Sequence, residues 1–151
     1  MQKLQFNDLS KEEQGLLMKA KEASEHYYNP RGSHYVGAAL KSVDGEIFQG
    51  AAVRRQSASS NTCSERMVID KAIYAGKRDY KTIAIVGFKT DGSKMGPVFP
   101  CGSCRQIIFE YYPEAETGSI LASNSDVTEI IRTDINELLP SAYKSNNLDK
   151  K

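Results

Sequence analysis

Three cysteines, in two short stretches, are the residues of this chain best placed to do chemistry. Cys63 stands in Thr62-Cys63-Ser64-Glu65-Arg66, and the other two stand in Pro100-Cys101-Gly102-Ser103-Cys104. Cys101 and Cys104 are three residues apart at an expected helix start, so both thiols can point at one centre. Cys63 opens another expected helix. Both helix N-termini carry unpaired N–H groups and a positive dipole end, which favour thiolate over thiol. Three thiolates with one open position form the donor set of a catalytic zinc ion, because a structural site would be closed by a fourth protein ligand. No fourth cysteine exists, and His26 and His34 fall outside any ligand spacing with the three. Water is therefore the expected fourth ligand.

Three thiolates on a dication leave the site net negative. Arg66 directly follows Glu65, and Arg105 directly follows Cys104. Both are expected to donate hydrogen bonds to the sulfurs; the plainer alternative is a surface arginine at either position. Glu65 lies two residues after Cys63 and does not share its helix face. It reads as a carrier of protons between water and a leaving nitrogen rather than as a ligand. Taken alone, it would be a first-turn glutamate that complements the helix dipole.

The elements that must position these groups follow from local patterns. Ser10 and Glu13 form a capping box for a helix over 10–28, ended by Asn29-Pro30. Residues 35–40, with the small run VGAAL, and residues 46–53 flank Asp44-Gly45 as a hairpin. The glycine and alanines of its first strand anticipate close approach by another element. A polar loop over 54–61 leads to a helix from Cys63 to about Tyr74, stopped by Gly76. Residues 81–88, KTIAIVGF, read as a buried strand. A second cysteine-led helix runs from Cys101 to about Tyr112, stopped by Pro113, before strands over 119–123 and 127–132. Asp134 caps a brief helix, and a polar tail follows. Hairpin, then helix–strand–helix–strand, argues for an α/β fold with a mixed sheet and helices on both faces. The 151 residues read as a single domain over 1–151, without repeats or a linker.

Composition narrows the classes. A net charge of +1 gives no electrostatic case for nucleic acid or a membrane as partner. No apolar run approaches the roughly 20 residues of a membrane span. The first residues, MQKLQFNDLSKEEQ, are too polar for a secretory signal. Three cysteines, two of them in a C-x-x-C, do not suit a disulfide scaffold, so a reducing cytoplasmic compartment is expected.

Cys-x-Glu followed by Pro-Cys-x-x-Cys is the all-cysteine form of the zinc-deaminase signature. The chain resembles the small, homotetrameric, zinc-dependent cytidine deaminases, a family that includes blasticidin S deaminase. VGAAL (36–40), DGEIFQG (44–50), CSER (63–66), PCGSCRQ (100–106) and ELLPSAY (137–143) match family blocks in order and spacing. The resemblance implies a three-layer α-β-α sandwich around a five-stranded mixed sheet and one Zn2+ per subunit held by Cys63, Cys101 and Cys104. It implies hydrolytic removal of the exocyclic amine of a cytosine nucleoside, with Glu65 moving the protons. It places the pyrimidine edge against the backbone around Ser64 and Phe99, where the family has a serine in place of Phe99. It implies a homotetramer in which Tyr143 reaches a neighbouring subunit's pocket; the alternative for Tyr143 is a packing role.

The departure from the family lies at the sugar-binding segment. An asparagine and a glutamate that hold the ribose hydroxyls are replaced by Ala52 and Arg54, and a pocket phenylalanine is replaced by His34. An arginine suits a carboxylate or phosphate, so an anionic or modified nucleoside is expected rather than plain cytidine. Against this stands a solvent-facing or internally paired Arg54. Other readings are a polynucleotide-editing deaminase, disfavoured by Cys63 and the near-neutral charge, a deaminase of another amino-heterocycle, and a zinc-stabilised binding module without catalysis.

Overall fold

The computed structural model describes residues 1–30, 32–111 and 118–144. Six strands form one sheet in the order β1-β6-β5-β4-β2-β3: β1 (Gln2–Leu4), β2 (His34–Lys41), β3 (Ile47–Ala51), β4 (Thr82–Lys89), β5 (Ser119–Ser123) and β6 (Ile130–Thr133). Only β4 and β5 are parallel; every other pairing is antiparallel. Four α-helices accompany the sheet among the described residues: α1 (Lys11–Ser24), α2 (Ser64–Tyr74), α3 (Gly102–Glu110) and α4 (Ile135–Leu138).

The alternation of side chains along the central strands divides the core into two layers. Ala39, Ala84, Val86 and Leu121 face Leu16, Leu17 and Ala20 of α1. Val36, Ala38, Leu40, Ile83, Ile85 and Ile120 face Val68, Ile69 and Ala72 of α2, Ile108 of α3, and Ile135 and Leu138 of α4. The expected three-layer α-β-α sandwich is therefore present, with the two cysteine-led helices in one layer. The sheet has six strands where five were expected. The extra one, β1, pairs Gln2, Lys3 and Leu4 with Arg132, Ile131 and Ile130. Three residues are too short for alternation to announce a strand, and β1 exists because β6 offers it an edge.

Two glycines let helices sit close to the sheet. A Cβ on Gly37 would come within 2.1 Å of the Ala20 carbonyl oxygen and 2.4 Å of the Ser24 nitrogen, both backbone atoms of α1. This is the close approach expected from the VGAAL run. A Cβ on Gly50 would stand 3.0 Å from the Ser64 carbonyl oxygen, so β3 lets the first turn of α2 press against it. That first turn carries the candidate chemistry.

Three boundaries differ from expectation. Helix α1 stops at Ser24, short of Tyr28, because the Tyr28 N–H donates to the Ala52 carbonyl at 3.0 Å instead of continuing the helix. Strand β3 stops at Ala51, and Val53 forms isolated bridges to Tyr28 and Thr62. Strand β6 begins at Ile130 because Asn124 Oδ1 accepts from the Thr128 and Glu129 N–H groups, holding 124–129 in a turn with Val127 at φ 59. The expected stop of α3 at Pro113 and most of the polar tail lie outside the described residues.

Replacing Gly37 by alanine should force α1 off the sheet and cost about 1–3 kcal/mol in urea unfolding, the usual cost of overpacking. Gly15→Ala, at a helical position with nothing within 4 Å of the added Cβ, should instead stabilise by up to about 1 kcal/mol. Equal effects of the two substitutions would contradict the close approach at Gly37.

Candidate metal and catalytic site

Cys63 and Cys101 are the N-cap residues of α2 and α3, both extended, at φ −75, ψ 152 and φ −66, ψ 166. Their carbonyls accept from the Met67 and Arg105 N–H groups, at 3.1 and 2.9 Å, and so begin each helix. Serine or aspartate at this position would spend its side chain on the helix amides. Neither cysteine side chain makes a capping hydrogen bond, so both thiols are free to turn toward one point. Cys104 adds a third from the first turn of α3. The three sulfurs lie within 4.8 Å of one another. Sulfurs 2.3 Å from a shared tetrahedral ion stand about 3.8 Å apart, a separation inside that limit, so the cluster suits zinc. Cys104 is buried, Cys63 half-buried and Cys101 exposed, leaving one side of the cluster open.

The electrostatics fit a cation as well. Cys63 is lowered to about 5, first by a hydrogen bond from Cys104 and also by the charge of Arg54, against burial that pushes it up. Cys104, the donor in that pair, is pushed up by the same contact and by its burial. A metal ion bound there would displace the thiol protons. Glu65, only 5% exposed, faces the same place. Burial, and then the negative charge of Cys63, holds its carboxyl above the usual carboxylate range. The Ser64 hydroxyl donates to Glu65 Oε2 at 2.9 Å and fixes the carboxyl plane.

The two arginines expected on the sulfurs have other partners. Arg66 Nη2 donates to Ser103 Oγ at 3.1 Å, tying α2 to the first turn of α3, and its buried Nε has no partner among the described residues. Arg105 donates from Nε to the Pro100 carbonyl at 2.9 Å and from Nη1 to the Leu138 carbonyl at 3.0 Å. It therefore clamps the turn before Cys101 onto α4. The contact to sulfur comes instead from Arg54, whose Nη1 lies 3.9 Å from Cys63 Sγ. No local sequence signal marked this, because Arg54 and Cys63 meet through the Val53–Thr62 bridge rather than along a helix.

The remaining positions divide by depth. Ala52 is buried in the core, and Phe99 packs against the same cluster from a half-buried position. His34 is exposed at the start of β2. Tyr143 is 71% exposed, with its backbone held on α3 by both ends of the Gln106 amide. Arg55 is absorbed by its own loop, donating to the Ser60 carbonyl and Thr62 Oγ1.

The chain is similar to known proteins over most of its length. Residues 10–116 match the family model for the cytidine and deoxycytidylate deaminase zinc-binding region. The chain is 34% identical to a cytidine deaminase of Sporosarcina psychrophila over 133 residues, covering 88% of this chain and 92% of that protein. It is 31% identical to the blasticidin-S deaminase of Bacillus cereus over 117 residues, covering 75% and 79%. The crystal structure of a cytidine deaminase from Burkholderia pseudomallei superposes with a TM-score of 0.74 at 34% identity, covering 85% of this chain and 97% of that one. With its three convergent cysteines and buried glutamate on the same fold, the chain belongs to the zinc-dependent cytidine and deoxycytidylate deaminase family.

Proposed function

We propose that the protein is a hydrolytic deaminase of a cytosine nucleoside or nucleoside analogue, with one zinc ion per subunit held by Cys63, Cys101 and Cys104. The observation that carries this reading is a buried carboxyl, Glu65, beside three sulfurs gathered at two helix N-termini. Zinc bound there supplies a Lewis acid that lowers the pKa of water from 15.7 to about 7. Glu65 does the proton work. A carboxyl raised by burial holds its proton at a pH where an exposed one has lost it, so it can serve as both acid and base. Both protons come from the attacking water: Glu65 takes each in turn and passes the first to the ring nitrogen and the second to the departing amine. The C–N bond breaks, oxygen from water takes its place on the ring carbon, and nitrogen leaves as ammonia. Ser64 orients Glu65, and the backbone around Ser64 and Phe99 holds the pyrimidine edge.

At the sugar end, Ala52 offers no group to a hydroxyl. Arg54 has Cys63 as a partner, which supports a substrate without a required anion. His34, exposed at the start of β2, lines that end of the pocket. The homotetramer is supported by the apolar outer face of α2 and β3. Phe48, Met67 and Tyr74 line a groove of about 540 Å3 there, Ile47 is exposed nearby, and Tyr74 is 96% exposed. Tyr143, pinned by its backbone with its ring outward, contributes to a neighbour's pocket.

Glu65→Gln should keep its zinc and lose about 10²–10⁴-fold in kcat, with ammonia release from cytidine and deoxycytidine as the assay. A variant that deaminates at the wild-type rate would remove Glu65 from the chemistry. In the same assay CMP and blasticidin S should gain no advantage over cytidine; a strong preference for either would hand Arg54 to the substrate. Tyr143→Ala should raise KM with zinc content unchanged, and sedimentation velocity should find a tetramer. A monomer with an unaltered KM would refute the shared pocket.

A further inference from the structure

We propose that Arg54 is a positioning residue for the metal centre: its guanidinium braces the Cys63 sulfur and offsets the negative charge that three thiolates gather around one ion. This rests on the reading of Cys63, Cys101 and Cys104 as zinc ligands. The argument begins with backbone register. Val53 and Thr62 exchange reciprocal N–H···O bonds, both 2.9 Å, as an isolated antiparallel bridge. In that register Arg54 stands opposite Asn61, and Cys63 is the diagonal neighbour on the same face. Diagonal neighbours in an antiparallel pair are about 7–8 Å apart, beyond a short side chain but within reach of a long one. An arginine at this position spans the gap, and its Nη1 meets Cys63 Sγ at 3.9 Å.

The bridge is held from several sides, so the reach is fixed. The Arg54 N–H donates to the Tyr28 carbonyl at 2.6 Å, and the Arg55 N–H donates to Asn61 Oδ1 at 2.7 Å. Arg54 forms no ion pair with a carboxylate among the described residues, so no internal acid draws its charge off the sulfur. Arg105 is engaged with the Pro100 and Leu138 carbonyls, and Arg66 gives its Nη2 to Ser103 while its buried Nε has no partner among the described residues, so Arg54 supplies the one arginine contact to a cluster sulfur among the described residues. A guanidinium stays charged at every relevant pH and fans its donors in a plane. One N–H can therefore rest on sulfur while the charge remains beside the cluster. Groups that hold ligands in this way commonly change metal affinity 10–100-fold when removed.

The test compares wild type, Arg54→Gln and Arg54→Lys by zinc competition against a chromophoric chelator. Arg54→Gln should weaken zinc about 10–100-fold, while the chelator-stripped proteins melt at the same temperature. Arg54→Lys, which keeps a charge without the planar fork, should fall between, and it carries the test should the glutamine variant not fold. In cobalt-substituted protein the sulfur-to-cobalt charge-transfer band should shift in Arg54→Gln. Zinc affinity within twofold of wild type together with an unshifted cobalt band would overturn the proposal. So would a KM that rises for CMP and not for cytidine at unchanged zinc affinity, which assigns Arg54 to a substrate anion. Neither metal readout needs a substrate. Zinc bound as described with no cytosine compound deaminated would therefore sink the functional reading and leave the role of Arg54 standing.

Discussion

Three thiol groups drawn to one point are the constraint around which this molecule is built. Like charges gathered this closely repel, and the fold answers with several partial positive charges. Two helices begin at the cluster and turn their N-terminal dipole ends toward it. A guanidinium reaches one sulfur, and a zinc ion held there would supply the remainder. Each of these depends on α2 and α3 lying side by side in one layer, with their first turns facing each other. The packing of Val68, Ile69 and Ala72 of α2 and Ile108 of α3 on one sheet face secures that placement. The absent side chain at Gly50 sets the depth of the first turn of α2. The core therefore determines the geometry of the site as well as the stability of the fold.

The same packing places a carboxyl where a carboxyl is costly. Glu65 is almost wholly buried, next to sulfurs that carry negative charge, and both conditions favour its protonated form. A structure selected for stability alone would put an apolar residue at this turn of α2. A proton carrier gains from the placement, because its affinity for the proton rises toward the pH at which it works. The Ser64 hydroxyl is the one side-chain hydroxyl bonded to it among the described residues, and this sets the direction of the carboxyl at little cost in charge.

A small junction connects this chemistry to the rest of the chain. Val53 bridges to both Tyr28 and Thr62 where α1 has ended, β3 has ended and α2 is about to begin. Because Val53 pairs with Thr62, the residue after it is brought beside Cys63. Arg54 thus faces inward to sulfur.

Reading the chain in order was enough to identify the family, the three cysteines that converge and the layer architecture. Cysteine spacing, capping residues and alternation of apolar side chains act over a few residues, and local sequence records them directly. Ser10 and Glu13 at the start of α1, Cys63 and Cys101 at the starts of α2 and α3, and the buried run of β4 were all legible for that reason. What stayed hidden was decided by contacts between distant residues. Three residues at the N-terminus became β1 only because β6, some 130 positions later, presented an edge. The early end of α1 came from a hydrogen bond to Ala52. The partners of Arg54, Arg66 and Arg105 were set by which backbone or side-chain groups the folded layers brought within reach. A long cationic side chain can satisfy itself in many directions, and local sequence does not rank them. Only the assembled backbone, by fixing which acceptors are near, makes the choice.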